Sequence, residues 1–403
     1  MAKRSADQTL VRMTNQNLIL STIREKESAT RSVLSKTLQL SVPSVCANVD
    51  QLIELGIVRE TGEETSSVGR KAKLLKLNTR FGYLISIDLS NPCITLALSD
   101  LEPVVVSELK FDLELYRTEQ LMELLTEKIG ELLKQGGIAP SQLLTISVSV
   151  PGIVDSVKGI VECGSYLAPL GKVPFRELFQ RRFDVPVLLH KDIDAAIIAE
   201  RNFGAAKDSD NAAFVSADVG VGTGIVLGGT LFKGSKYGAG ELSRFVMDRQ
   251  PPTDGAALPL LGDLVSVKAL VQAVRDEVEL GAKSSVLDEA GGKPDRIDFN
   301  AVIRATLSGD ALCVKHVRES ARMMGIAVSN MQLLLDLDCI ILGGGFATLG
   351  DTYTETLAEE VRRRIPAPPT IRTTALRSKA VVLGGISLAL DSVFDELLLE
   401  KSV

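Results

Sequence analysis

The sequence predicts an α/β protein in three parts. A winged helix-turn-helix spans residues 1–80. Two α/β lobes follow over 81–194 and 195–382, and a C-terminal helix, 383–403, returns to the first lobe. Three observations carry this. The first 80 residues read as three short helices and two strands around a basic tip. The rest of the chain spells β-β-β-α-β-α twice. Charge divides at the same boundary: residues 1–80 hold 13 Lys and Arg against 8 Asp and Glu, while the remainder holds 32 against 43. A basic head on an acidic body marks the head as the part that meets a polyanion.

Composition sets the outer limits. At 403 residues, 45% of them hydrophobic and 24% charged, the chain has ample core for several domains. No apolar run approaches the roughly 20 residues of a membrane span. Met1 to Ser5 has no apolar leader, so a cytoplasmic location is expected. Cys46, Cys93, Cys163, Cys313 and Cys339 are isolated, which suggests neither a disulfide framework nor a zinc cluster.

In the head, Thr14 can cap a helix with Leu18, Ile19 and Ile23 on one face. Ser28-Ala29-Thr30 breaks it, and a short helix runs from Arg31 to Leu38. After a turn at Gln39-Leu40, Ser41 caps a third helix with Pro43 in its first turn, where the missing N–H costs nothing. Val45, Val49 and Leu52 face inward. Gly56 stops the helix. Strands at Ile57–Arg59 and Lys73–Leu77 then flank a wing over 62–71. The third helix is placed to enter a major groove, with Ser44, Ala47, Asn48 and Gln51 near base edges. Asn48 or Gln51 suits adenine, although Asn48 sits at the edge of the apolar face, where half-burial is the simpler reading. This helix carries no Arg or Lys, so phosphate contacts fall to Arg31, Lys36, Arg70, Lys71 and Lys73. The bland reading is a three-helix bundle for protein contacts; the basic tip Gly69-Arg70-Lys71 opposes it.

In the body, Tyr83–Leu89, Ile94–Ser99 and Val104–Val106 read as three strands, followed by a helix from Thr118 to Gln135 and an apolar strand Thr145–Val150 closed by Pro151-Gly152. The second series opens at Asn211. Ala213–Val219, Ile225–Leu227 and Thr230–Phe232 form a meander, and Leu337–Leu342 closed by Gly343-Gly344-Gly345 is its later strand. Between the first two strands of that meander stand Gly220, Gly222 and Gly224. Bare backbone there can approach an anion or a sugar closely, although a tight hairpin explains the same glycines.

Past the meander, Gly234-Ser235-Lys236-Tyr237-Gly238-Ala239-Gly240-Glu241-Leu242-Ser243-Arg244 resembles the G-x-x-G-x-A-G-E-x-G-H segment of the ROK (repressor, open reading frame, kinase) family. Gly69-Arg70-Lys71 resembles the wing of its repressors, and the doubled series fits its duplicated actin-like, ribonuclease H-like ATPase fold. The resemblance covers nearly the whole chain. It implies a phosphate turn at Gly220, Gly222 and Gly224, and a sugar site at Asp192, Lys191, Glu241, Arg244 and Gly152.

The departures are as informative. The family's D-x-G-G-T reads Asp88-Leu89-Ser90-Asn91-Pro92, and Pro92 offers no N–H to a phosphate, so ATP binding is doubtful. His190-Lys191-Asp192-Ile193-Asp194-Ala195-Ala196 resembles a segment that reads N-D-A-N-A-A in the kinases; Asp192 falls where they place the catalytic base, and is read here as vestigial, with no catalytic residue assigned. As a simpler role, Asp192 can cap a helix from Asp194 to Phe203. Arg244 replaces the histidine that contacts sugar and zinc, and no cysteine cluster occurs over Pro252–Leu264, so no metal is expected. His190 and His316 read as structural. Lys191 and Arg244 bring two permanent cations to one pocket. Either Arg244 pairs with Glu241 or Asp192, or the cations await an anionic ligand such as a sugar phosphate.

The resemblance thus implies a DNA-binding transcriptional regulator, a repressor, whose degenerate kinase body senses a sugar or sugar derivative and controls binding to a double-stranded operator. It is expected to be a homodimer or a dimer of dimers, with no membrane association. The alternatives are an ATP-dependent sugar kinase with a DNA-binding head, and a constitutive DNA-binding protein with a vestigial pocket.

Overall fold

The structure is a computed structural model that describes residues 2–63, 72–91, 93–113, 117–218, 220–247 and 258–400, with the backbone alone at 2–10, 63 and 396–400. The head contains α1 (Ala2–Glu25), α2 (Arg31–Leu38), α3 (Val42–Glu54), β1 (Val58–Glu63) and β2 (Lys73–Leu77). Thr30 caps α2 through the Val33 amide and Ser41 caps α3 through the Ser44 amide. Gln39 takes the left-handed conformation that ends α2. Val45, Val49 and Leu52 are fully buried, as their spacing requires. One boundary differs from expectation. Helix α1 starts at Ala2 rather than near Thr14, because no Gly or Pro interrupts the stretch. The antiparallel β1–β2 hairpin frames the wing, whose tip, 64–71, with Arg70 and Lys71, lies outside the described residues.

The body continues with β3 (Tyr83–Asp88), β4 (Cys93–Ser99), β5 (Val105–Asp112), α4 (Thr118–Gly136), β6 (Leu143–Val150), β7 (Gly152–Asp155), β8 (Ile160–Cys163), β9 (Lys172–Val173), α5 (Phe175–Gln180), β10 (Val187–Lys191) and α6 (Asp192–Phe203). The second series is β11 (Ala212–Ala217), β12 (Val221–Leu227), β13 (Thr230–Leu231), α7 (Leu261–Val265), α8 (Val267–Glu279), α9 (Val286–Glu289), α10 (Phe299–Leu307), α11 (Ala311–Leu335), β14 (Cys339–Gly343), α12 (Asp351–Arg362), β15 (Thr370–Thr373) and α13 (Ala380–Glu400). The sheets are ordered β10-β6-β3-β4-β5 and β13-β12-β11-β14-β15. In each, an antiparallel meander forms one side and two parallel strands extend the other. The fifth strands, β10 and β15, go beyond the expected repeat. β15 is a short edge strand, Thr370–Thr373, in which Ile371 is the single apolar residue.

Side-chain alternation explains how the sheets are covered. On β3 and β6, Ile85, Ile87, Ile146, Val148 and Val150 pack under α4. The opposite residues are Ser86, Asp88, Ser147 and Ser149, all buried. This small polar face accepts α13, whose Gly385 lies against the Ser86 hydroxyl. On the second sheet, Ala213, Val215, Ile340 and Leu342 pack beneath the long helix α11, while Phe214, Cys339 and Ile341 meet α6. Helices α6 and α13 therefore lie between the sheets and against each other. Their approach is close enough that a Cβ on Gly384 would fall 1.7 Å from the Ala195 carbonyl oxygen.

Candidate functional site

The site forms where β10 ends and α6 begins, opposite the loop that follows β13. Asp192 is the first residue of α6 and accepts from the Ile193 amide at 2.8 Å; the helix starts there rather than at Asp194. Burial raises the Asp192 pKa above the usual carboxylate range. Asp194, in the same first turn and buried, is pushed up to about 6 by desolvation, which Lys191 and Lys233 partly offset. Asp88 arrives from β3 on the same face and is likewise pushed up to about 6 by burial. Its Oδ1 accepts from the Ser90 amide at 2.8 Å, so this carboxylate caps its own turn.

The two lobes meet through Lys191. Its side chain is buried and donates to the Ala239 carbonyl at 3.1 Å and to Glu241 Oε1 at 2.8 Å. The expected pairing of Arg244 with Glu241 is present but is the longer of two. Lys191 holds Glu241 more closely, because Lys191 issues from the buried end of β10 and cannot stay unpaired there. Arg244 keeps a side-chain exposure of 71% and stands 3.9 Å from Glu241. Lys191 is therefore engaged within the protein, and Arg244 is the more exposed of the two cations on Glu241.

The glycines are placed by packing. Gly220 lies in the β11–β12 turn, but Gly222 and Gly224 are inside β12, paired with Ser216 and Phe214. The expected three-glycine phosphate turn is thus corrected to one turn residue and two strand residues. A Cβ on Gly224 would fall 2.3 Å from the Ile193 carbonyl oxygen, so glycine lets β12 press on the first turn of α6. Gly240, at φ +80°, approaches the Thr223 carbonyl closely enough to exclude any side chain, which anchors the Glu241 loop to β12. Gly152 opens β7 with its Cα against the Glu162 and Gly164 backbone; its role there is also packing.

In the head, Ser44, Ala47 and Lys36 are accessible. Asn48 is not. It is 6% exposed and its amide donates to the Ser44 carbonyl, so it is corrected from a base reader to an internal brace. Gln51 is half-buried and accepts from Gln16 of α1 at 2.9 Å. Arg31 is engaged with Asp50 at 2.7 Å and Glu60 at 2.8 Å, joining α2, α3 and β1. The exposed Asp50 and the Arg31 cage were missed in the sequence because a cross-helix ion pair leaves no local pattern. His190, Lys233 and Tyr237 were also missed as site residues. They surround a small cavity with Lys191 and Asp194, and only the paired lobes bring them together.

Among the described residues no group of three or more His, Cys, Asp or Glu could hold a metal, and no helix is long and apolar enough to cross a membrane. Of the stretch Pro252–Leu264, where a zinc cluster was sought, residues 252–257 lie outside those described.

A two-lobed actin-like body with a polar cleft and a winged-helix head is the class these features define. The ROK family model matches residues 84–392, and the chain belongs to the ROK family. It is 28% identical over 394 residues to a xylose repressor of Caldicellulosiruptor bescii, an alignment that takes in 96% of this chain and 97% of that one. It is 24% identical over 394 residues to the DNA-binding transcriptional repressor Mlc of Escherichia coli, covering 96% of each. Among solved structures, a ROK family transcriptional regulator described as a homologue of the E. coli Mlc protein superposes with a TM-score of 0.83, at 24% identity and over 97% of this chain and 99% of that one. A ROK family glucokinase from Streptomyces griseus, in complex with glucose and AMPPNP, gives 0.67 over 76% of this chain and 99% of the kinase, at 21% identity. The kinase likeness is to the body, which establishes the actin-like fold.

Proposed function

We propose that this protein is a transcriptional repressor whose cleft senses a sugar or sugar derivative and so controls operator binding. The observation that carries the reading is the buried Lys191–Glu241 bridge between the lobes, beside Asp192, in a chain that aligns from end to end with repressors. A polyhydroxylated ligand suits it, since carboxylates and a lysine supply the acceptors and donors that hydroxyls need. Asp192, Lys191, Glu241 and Arg244 form this site; Gly152 shapes its floor. On the head, Ser44 and Ala47 face the bases, Gln51 contributes from the margin, and Lys36, Arg70 and Lys71 meet phosphates.

A physical route joins the two ends. Asp192 begins α6, α6 packs along α13, and α13 shares an apolar core with α1 and α3. Asn17 and Arg24 of α1 also bond Asp395 and Asp391 of α13. A ligand that shifts the lobes therefore shifts the frame on which the head is mounted. Two heads on a two-fold operator follow, since one winged helix reads only a half-site.

Phosphoryl transfer is not expected. Asp88 is buried and occupied as a turn cap, and two of the three turn glycines are spent in a strand. The test is direct. An operator is selected from a randomised duplex pool with the full-length protein, and its release is followed by fluorescence anisotropy against xylose, glucose, N-acetylglucosamine and their phosphates. Release by at least one sugar, accompanied by a rise in melting temperature through mass action, is the expected result. Sugar-dependent ATP consumption in a coupled assay would instead favour a kinase.

A further inference from the structure

Behind the Lys191–Glu241 pair lies a cavity of about 10 Å³, room for one water-sized oxygen. Its walls come from both sides of the cleft: Ser156, His190, Lys191 and Asp194 from one, Lys233 and Tyr237 from the other. Both ring nitrogens of His190 are buried, and neither has a hydrogen-bond partner among the described residues. A polar atom left so costs stability unless something fills its valence. Tyr237 adds a second mark of constraint, with a left-handed backbone at φ +58°.

The chemistry of the missing partner can be read from the ring. Burial, helped by the nearby Lys233, pushes the His190 pKa down to about 3, so the imidazole is neutral at physiological pH. One nitrogen then donates and the other accepts. The two nitrogens point apart, so one oxygen reaches only one of them; a hydroxyl suits either, whereas a phosphate or carboxylate oxygen suits only the N–H. The cavity is too small for a whole sugar but matches one projecting hydroxyl.

We propose that His190 is a specificity-determining residue, whose buried ring receives one hydroxyl of a neutral sugar in this interlobe niche. The inference rests on the effector reading above and adds a choice of ligand class. Because the niche closes only when the Lys233–Tyr237 wall meets β10, filling it also favours one arrangement of the lobes.

The experiment uses the full-length protein and calorimetric titration with xylose, glucose and N-acetylglucosamine, then the monodeoxy analogues of whichever binds, and its phosphate. Wild type should lose about tenfold in affinity for one deoxy analogue, the cost of one hydrogen-bonded group. His190→Phe should bind the parent sugar about tenfold more weakly and should no longer distinguish that analogue. His190→Gln, which keeps a donor and an acceptor, should recover most of the loss. Melting and operator affinity without sugar report whether each variant is folded. Unchanged sugar affinity in a folded His190→Phe, wild-type indifference to every deoxy analogue, or tighter binding of the phosphate overturns the niche while leaving the effector reading intact. If no sugar binds wild type, the effector reading fails and the niche with it.

Discussion

The two sheets share a strand order but differ in what they are welded to. The head's core, from Ile19 and Leu20 to Val49 and Leu77, runs on into Leu84 and Ala97 of the first sheet and into Val382, Ile386, Leu390 and Phe394 of α13. The second sheet's large core, built on Val215, Ile340, Met324 and Leu357, includes no described residue of the head. The difference teaches which parts can move. Head, first sheet and α13 form one apolar unit. The second lobe meets them through a smaller apolar core, in which α6 and the start of α13 pack on Phe214, Val226 and Ile341, and through the Lys191–Glu241 pair. Among the described residues, the second sheet therefore reaches the head only through α6 and α13.

The strongest way to break this comparison is a cavity in the shared core. Phe394→Ala should cost about 3–5 kcal/mol and lower amide protection in α1 and β3 together, measured by hydrogen exchange. Val274→Ala, in the second core, should lower protection around α8 and spare α1. If α1 is unaffected by Phe394→Ala, the head is not part of the first unit.

Next in size is Asp88→Asn, which removes a carboxylate from the buried polar face. With a folded pKa of about 6, above the unfolded value, wild-type Asp88 adds stability below pH ~4 and loses it as pH rises through 6. The variant should match wild type near pH 4 and exceed it by about 2 kcal/mol at pH 8, since a tenfold change in proton affinity is worth about 1.4 kcal/mol. Denaturant midpoints across that range check the sign.

The interlobe pair sharpens the boundary itself. Lys191→Met should destabilise by about 2 kcal/mol, because Glu241 keeps only the longer contact to exposed Arg244, while adding Glu241→Gln should recover most of the loss. Additive effects in that cycle would mean the pair does not join the lobes. The smallest stability effect belongs to the wing. Arg70→Ala with Lys71→Ala should leave melting unchanged, weaken specific and random DNA alike, and reduce the salt slope by about one for each phosphate left without its cation. Gln51→Ala, whose side chain leans on Gln16, should relax sequence choice only modestly.

Local signals were enough for many of the elements. Ser41 with Pro43 specified α3 to within a residue, and the apolar run Tyr83–Leu89 specified a strand, although its burial on both faces appears only in the structure. Motif positions also brought Asp192, Lys191 and Glu241 to one place, since each sits at a strand end or in a glycine-lined loop. Sequence alone did not decide partners. Which cation takes Glu241 depends on which one emerges at a buried strand end, and that is set by how two lobes close on each other across 50 residues of sequence. Asn48 and Gln51 read as groove residues by helical spacing, yet their orientation was settled by the Ser44 carbonyl and by α1. The glycines followed the same division. Their positions were visible in the chain, but that Gly224 serves the approach to Ile193 emerges only once two backbones occupy the same few ångströms. Short-range periodicity fixes elements because it acts within one turn or one pleat; pairing and burial of charges depend on long-range contacts that no local pattern encodes.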